Sequence, residues 1–106
     1  MPLYGNMKEE MLDVVSANVT HLVLLDGSAE VTGYEPITWN PATQGELSMD
    51  GNVLFDIDTS EGDVTVDRVK MINSDGTEEY GENSTTSHTF TSDGTYNLES
   101  LEVQMT

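Results

Sequence analysis

The sequence contains no cysteine, so disulfide bonds and thiolate metal sites are excluded. Basic residues are scarce, with 3 Lys plus Arg against 20 Asp plus Glu and a formal net charge of −17. No apolar run approaches the roughly 18 residues that a membrane-spanning helix needs. No basic flank precedes an apolar stretch near the N-terminus, so we expect no secretory signal. The 106 residues predict one domain, residues 1–106.

The acidic charge is distributed along the whole chain, from Glu9 to Glu102. A solvated acidic tail would instead cluster its carboxylates in one block. Distributed charge on so small a body repels itself strongly in dilute buffer. In molar salt the Debye length falls to about 3 Å and most of this repulsion is screened. The composition therefore favours a halophile protein, with an ordinary acidic protein as the alternative.

The scarcity of cations also limits the kinds of partner. Binding to DNA or RNA needs Lys and Arg side chains that replace the counterions of the phosphate backbone. Anionic lipid likewise attracts basic segments. We therefore expect neither nucleic acid nor membrane as a partner. DNA mimicry stays open, because it would need carboxylates at phosphate-like spacing on one face, which a sequence does not display.

A single amphipathic helix is predicted over residues 4–18, within an N-terminal segment 1–18 that packs on the remainder of the domain. Its apolar residues recur at helical spacing: Tyr4, Met7, Met11, Leu12 and Val15. The acidic side chains fall on the other side of the helix. Asn18 is a suitable last residue, because Asn tolerates the left-handed conformation that closes helices.

After residue 19 the pattern becomes that of short strands. They are predicted at residues 20–25, 37–39, 45–49, 53–57, 64–73, 77–80 and 87–91, followed by an alternating stretch to residue 105. Asp-Gly dipeptides, which suit tight turns, occur at 26–27, 50–51, 75–76 and 93–94. The predicted fold is mainly β: an antiparallel β-sandwich of about eight short strands with one N-terminal α-helix.

Two local features refine this prediction. The apolar residues change phase between Val66 and Val69, which predicts a β-bulge near Asp67. Residues 81–87 are polar and have no apolar anchors. We therefore predict that they form a loop.

Catalytic chemistry would have to use one of two histidines, His21 or His88. His21 lies in an apolar strand and is expected to be an interior or interface residue. Neither a Gly-x-Ser-x-Gly elbow nor a His-Glu-x-x-His motif is present. We predict a protein that is not an enzyme and that carries no cofactor.

Residues 56–67 resemble a calcium-binding loop only superficially. Glycine falls at the seventh position instead of the sixth, and the twelfth position is Asp67 instead of a bidentate Glu. We predict no metal site here. The candidate ligands, if a cation binds, are Asp56, Asp58 and Asp63.

Two tripeptides match the N-glycosylation pattern. The one that begins at Asn18 follows the predicted helix and is expected to be buried. The one that begins at Asn83 falls in the predicted polar loop. The pattern alone leaves open whether Asn83 is modified.

Aromatic residues are the usual anchors of protein interfaces. Trp39 is predicted to lie in the core, because a small domain needs its apolar mass. Tyr34 and Tyr80 stand next to glycines and, together with His88, are the candidate interface residues.

Several short segments follow one another in a characteristic order. They are MKEEMLDVV at 7–15, THLVLL at 20–25, ITWNPA at 37–42, GELS at 45–48, VDRVKMIN at 66–73 and GTY at 94–96. In this order they resemble small virion-structural proteins of tailed phages, a group that includes head-decoration, tail-fibre and minor structural proteins. The resemblance spans residues 7–105, although the loop after Leu25 is shorter than usual.

Together with the acidity, this resemblance implies a structural protein of a tailed virus of a halophilic archaeon, located in the virion. It implies a capsid decoration or turret component, with a tail, fibre or baseplate accessory as the alternative. The partners would be viral capsid or tail proteins, and the protein would be a homo-oligomer in the assembled particle. A cellular β-sandwich module that binds carbohydrate or ions is the alternative from another functional class.

Overall fold

The N-terminal helix α1 spans Gly5–Asn18 in the computed structural model, which describes residues 5–41 and 46–104. The predicted helix is therefore confirmed. Leu12 is fully buried and Val15 packs against the main core. Tyr4 and the side chains of Met7 and Met11 lie outside what the structure describes.

The remaining described elements are nine β-strands, all in antiparallel pairs. They are β1 (His21–Asp26), β2 (Ala29–Glu30), β3 (Glu35–Pro36), β4 (Glu46–Ser48), β5 (Val53–Ile57), β6 (Val64–Ile72), β7 (Glu79–Phe90), β8 (Gly94–Leu98) and β9 (Glu102–Gln104). The prediction of a mainly β chain with one helix is confirmed. The described strands number one more than the expected eight and form three separate sheets.

The largest sheet has five strands, and β1 and β6 are its interior strands. Its order is β2-β1-β6-β7, and β3 pairs with the same side of β1 as β2 does, at the other end of the strand. The other sheets are the two-stranded ladders β5–β8 and β4–β9. The predicted alternation in β5 is confirmed, because Val53, Phe55 and Ile57 are buried while Leu54 and Asp56 are exposed.

One core cluster joins the large sheet to the β5–β8 ladder. Its members include Leu22, Leu24, Phe55, Val66, Val69, Met71, Tyr96 and Leu98. A second, smaller cluster lies on the opposite face of the large sheet and consists of Val23, Leu25 and Ile72, with Tyr34 packed against it. Because apolar side chains cover both faces of β1 and β6, these two strands are the most deeply buried part of the described chain.

The bulge predicted near Asp67 is confirmed in position. The register of β6 with β7 shifts between Val66 and Arg68, whose partners are His88 and Ser84. Three residues of β7 therefore oppose the single residue Asp67. The additional residues lie on β7, whereas the sequence signal was a change of apolar phase in β6.

The prediction for residues 77–91 is wrong. Two weak strands separated by a loop were expected, but β7 runs without interruption over 12 residues. The loop was inferred from the lack of apolar side chains in residues 81–87. A strand at the edge of a sheet is held by backbone hydrogen bonds to its neighbour, so it does not need apolar side chains to form.

The strand predicted at residues 37–39 is displaced. The structure has β3 at Glu35–Pro36, and Trp39 forms only an isolated bridge with Met49. The short strand β2, which was not predicted, forms a hairpin with β1. The turn of this hairpin contains Gly27, whose φ of 61° matches the positive value that such turns need.

In the described part of the chain, no helix combines the length and apolar character required to cross a membrane.

Candidate functional site

The two histidines lie beside opposite ends of β6. His21 is paired with Ile72 and His88 with Val66. The half-buried His21 has its Nδ1 2.9 Å from the Thr20 hydroxyl. The exposed His88 packs edge-on against Phe90, with ring centroids 4.5 Å apart. The structure therefore does not bring the two rings together.

The candidate calcium ligands lie along a shallow surface depression of about 450 Å³. Asp56 and Asp63 line it, and Asp58 Oδ1 accepts a hydrogen bond of 2.9 Å from the Ser60 backbone N–H. Within residues 5–41 and 46–104, no three His, Asp or Glu side chains are placed to hold one metal ion. The depression contains carboxylates from several elements, but they do not converge on a point.

Tyr34, a predicted interface residue, makes its side-chain contacts with residues of its own chain. Its hydroxyl donates to Glu30 Oε1 at 3.0 Å, and its ring covers the second core cluster. The ring also lies over Gly76, where an added Cβ would be 2.5 Å from the Tyr34 hydroxyl. These contacts leave Tyr34 half-buried.

Tyr80 and Trp39 lie in different environments. Tyr80 is the additional residue at a second register shift, between the pairs Met71–Gly81 and Ile72–Glu79, and 41% of it is exposed. Trp39 packs against the main core, as predicted, and its Nε1–H donates to the Val19 carbonyl at 2.9 Å.

The two glycosylation tripeptides do not lie where they were expected. Asn18 was expected to be buried but is exposed, and its Nδ2 donates to the Val14 carbonyl at 2.7 Å. The helix ends at this residue, so its side chain turns back along α1 towards solvent. Asn83 was expected in a loop but lies half-buried in β7.

Two of the three cations of the chain lie side by side on the face of the large sheet that carries the second core cluster. The buried Lys70 has its Nζ 2.9 Å from Glu30 Oε2 and 3.5 Å from Glu79 Oε1. Arg68 Nε donates to Glu82 Oε1 at 3.0 Å. The hydrogen bond from Lys70 lowers the pKa of Glu30, and the same contact raises the pKa of Lys70. These pairs link β2, β6 and β7.

The structure also shows a groove between β7 and β8 that the sequence did not indicate. Part of it has a volume of about 340 Å³ and is lined by hydroxyl, amide and imidazole groups from Thr85, Thr86, His88, Asn97 and Ser100, among others. The groove is open to solvent along β7, where the large sheet ends.

Tyr96 spans the bottom of this groove. Its hydroxyl donates to the Thr86 carbonyl at 2.9 Å and lies 2.8 Å from the Thr85 hydroxyl. Both partners belong to the bulge of β7, so one side chain of β8 fixes the edge of the large sheet. Alternation within residues 96–98 placed Tyr96 on the buried face, but nothing local to it indicated its partners.

Comparisons of the chain with protein-family models, with curated proteins and with solved structures found no match.

Proposed function

We propose that this protein is a non-enzymatic structural component of the virion of a tailed virus that infects a halophile, with capsid decoration or turret as its place. The observation that carries the proposal is the edge of the large sheet. β7 has 12 residues, eight of which pair in register with β6 on one side, and no described strand pairs with the other side. An open edge of this length is suited to assembly with other protein chains.

The charge distribution supports the same proposal. The formal net charge is −17, and two of the three cations are engaged in ion pairs with glutamates. The outer surface is therefore dominated by carboxylates, which suit a particle component exposed to concentrated salt. Contacts in an assembled particle would also stabilise a domain whose own core is small.

We also propose that the fold is a β-sandwich. The five-stranded sheet and the β5–β8 ladder share one core cluster, and the small β4–β9 ladder would extend the second layer. Two layers around a common core are the arrangement that a sandwich requires. The ordered resemblance of residues 7–105 to small phage structural proteins is the remaining support.

The decisive experiment is mass spectrometry of purified virions combined with electron microscopy of the particles. We expect this chain among the particle proteins, in many copies per particle and on the head. Density on the tail, fibre or baseplate would support the alternative location. Absence of the chain from particles that contain all their major proteins would overturn the proposal.

A cellular carbohydrate-binding module is the second candidate, and the groove between β7 and β8 favours it. Its lining of hydroxyl and amide groups provides hydrogen-bond partners of the kind that sugars need. Titration with a panel of oligosaccharides, followed by chemical shifts of Thr86 and Asn97, distinguishes the two functions. Saturable shifts at these residues, together with absence from virions, would favour the carbohydrate module.

A further inference from the structure

Asp-Gly dipeptides are positions where an aspartate can react with its own backbone. The amide nitrogen of the glycine attacks the side-chain carboxyl carbon of the aspartate and closes a cyclic imide, a succinimide. Glycine favours this attack because it has no Cβ to obstruct the approach. The chain has such pairs at 26–27, 50–51, 75–76 and 93–94, and it has no Asn-Gly pair. The four pairs have different surroundings in the structure.

Two of the four carboxylates are held by hydrogen bonds. Asp75 Oδ1 accepts from the Thr77 backbone N–H at 3.1 Å and from the Thr77 hydroxyl at 2.8 Å. Asp93 Oδ1 accepts from the same two groups of Thr59, at 2.7 Å and 2.8 Å. These hydrogen bonds lower the pKa of both carboxyls, which reduces the protonated fraction that an amide nitrogen can attack. Each side chain would also have to leave its threonine before a ring could close.

The pair at 26–27 is held through its backbone. Asp26 is the last residue of β1 and pairs with Ala29 of β2. The Gly27 N–H, which contains the nitrogen that would attack, donates to Asp67 Oδ1 at 3.0 Å. Ring closure would turn this amide away from Asp67 and would disturb the end of the ladder, so the fold opposes it.

The pair at 50–51 has none of these restraints. It connects two separate ladders, because β4 pairs with β9 and β5 pairs with β8. Both residues are exposed, and within the described part of the chain neither the Asp50 carboxylate nor the Gly51 N–H has a hydrogen-bond partner. Gly51 has a φ of 79°, and no atom lies within 4 Å of an added Cβ. Asp50 is anchored through its backbone N–H, which donates to the Thr38 carbonyl at 2.8 Å.

We propose that Asp50 is the site at which the folded protein modifies itself, by isomerisation of this residue to isoaspartate. The Gly51 nitrogen bonds to Cγ of the protonated Asp50 carboxyl, and the amide proton leaves with the carboxyl hydroxyl as water. Water then adds to either carbonyl of the imide. Addition at Cγ restores aspartate, whereas addition at the former main-chain carbonyl breaks its bond to nitrogen and leaves the chain running through Cγ. The reaction releases and takes up one water, so it needs no other reagent and leaves the mass unchanged.

The product lengthens the backbone between β4 and β5 by one methylene and retains one carboxylate. The added length lies directly after Met49, whose N–H donates to the Leu101 carbonyl at 2.8 Å. The modification therefore changes the connection between the β4–β9 and β5–β8 ladders without changing the charge.

Incubation of the purified full chain in molar KCl tests the proposal, after circular dichroism has established that the chain is folded. Mass spectrometry with electron-transfer fragmentation distinguishes isoaspartate from aspartate at each of the four positions. We expect isoaspartate at Asp50 to exceed that at each of the other three at least about tenfold, the factor that one hydrogen bond to a charged group supplies.

Two controls separate the effect of the fold from the chemistry of the dipeptide. In guanidinium chloride the chain is unfolded, and we expect the four pairs to react at similar rates. Asp50→Glu keeps the charge but has to close a larger ring, so isomerisation should be lost at position 50 and unchanged at the other three.

Equal accumulation at all four sites of the folded chain, or more at another site than at Asp50, would overturn the inference. So would a folded chain that forms no isoaspartate at Asp50 over a period in which the unfolded chain forms it. The virion experiment is independent of all these results.

Discussion

Lys70 and Glu30 are 40 positions apart in the chain, yet the Lys70 Nζ and Glu30 Oε2 atoms lie 2.9 Å apart. The other oxygen of the same carboxylate accepts from the Tyr34 hydroxyl at 3.0 Å. Glu30 therefore binds two groups at once and holds the β2–β3 segment against the middle of the large sheet. This arrangement fixes the position of the only buried charged side chain in the described part of the chain.

Replacing Lys70 should destabilise the fold more than replacing Arg68. Lys70→Met removes the buried cation and leaves the Glu30 and Glu79 carboxylates facing each other, so we expect a loss of about 1–3 kcal/mol in the free energy of unfolding. Arg68→Met removes an exposed pair and should cost less than about 1 kcal/mol. Urea denaturation in molar KCl measures both variants. Equal losses would contradict this ranking.

Acid should remove the contribution of Glu30. Its pKa lies below the ordinary value of 4.5 because it accepts a hydrogen bond from Lys70. A lowered carboxyl pKa stabilises the folded state above the unfolded pKa, and this stabilisation is lost as the pH falls through the folded pKa. The difference in unfolding free energy between wild type and Glu30→Gln should therefore be constant at neutral pH and shrink below pH 4.5. A difference that grew on acidification would exclude the ion pair as its source.

Removing the Tyr96 hydroxyl should loosen β7. Tyr96→Phe keeps the ring in the core and deletes the bonds to Thr85 and Thr86, with an expected cost of about 1 kcal/mol. Amide hydrogen exchange should accelerate at the bulge of β7 while the amides of β1 keep their protection. Tyr80→Phe, on an exposed ring, is the control and should change neither quantity.

Alanine at Gly76 should be costly. Gly76 has a φ of 75°, and an added Cβ would meet the Tyr34 ring at 2.8 Å. We expect Gly76→Ala to destabilise the protein by at least about 2 kcal/mol, from backbone strain and displacement of the ring. Gly33→Ala is the matched control, because no atom lies within 4 Å of its added Cβ. Thermal unfolding of the two variants tests the difference.

Salt should control folding, if the protein belongs to a halophile. We expect circular dichroism to show mostly β structure in molar KCl and a weaker β signal after dialysis to low salt, because repulsion among the carboxylates is then no longer screened. A neutral osmolyte at the same osmolality is the control and should not restore the signal. An unchanged spectrum at low salt would contradict the halophile prediction.

The elements that could be predicted are those specified by neighbouring residues. The spacing of Leu12 and Val15 indicated the helix, and strict alternation indicated β5. The change of apolar phase after Val66 marked the position of the bulge, although the additional residues lie on the partner strand β7. In each case the information lies within one turn of helix or a few residues of strand.

The groove and the edge that carry our proposals could not be predicted in this way. Residues 81–87 resemble a loop in composition, and they form a strand only because β6 offers them backbone partners. Tyr34 and Tyr80 were both expected at an interface, but Tyr34 is occupied by Glu30 and the second core cluster. A single sequence does not encode which distant residue an exposed polar side chain meets.

The sequence alone determines that this chain is acidic, and it predicts a mainly β fold with one helix. Charge, periodicity and turn dipeptides are local properties that a sequence displays directly. Only the tertiary structure decides that Lys70 is buried against Glu30, that Tyr96 holds the bulge, and that no described strand pairs with the outer side of β7. The physical reason is that strand pairing and side-chain contact join residues distant in sequence, and their free energies depend on which partners the fold brings within reach.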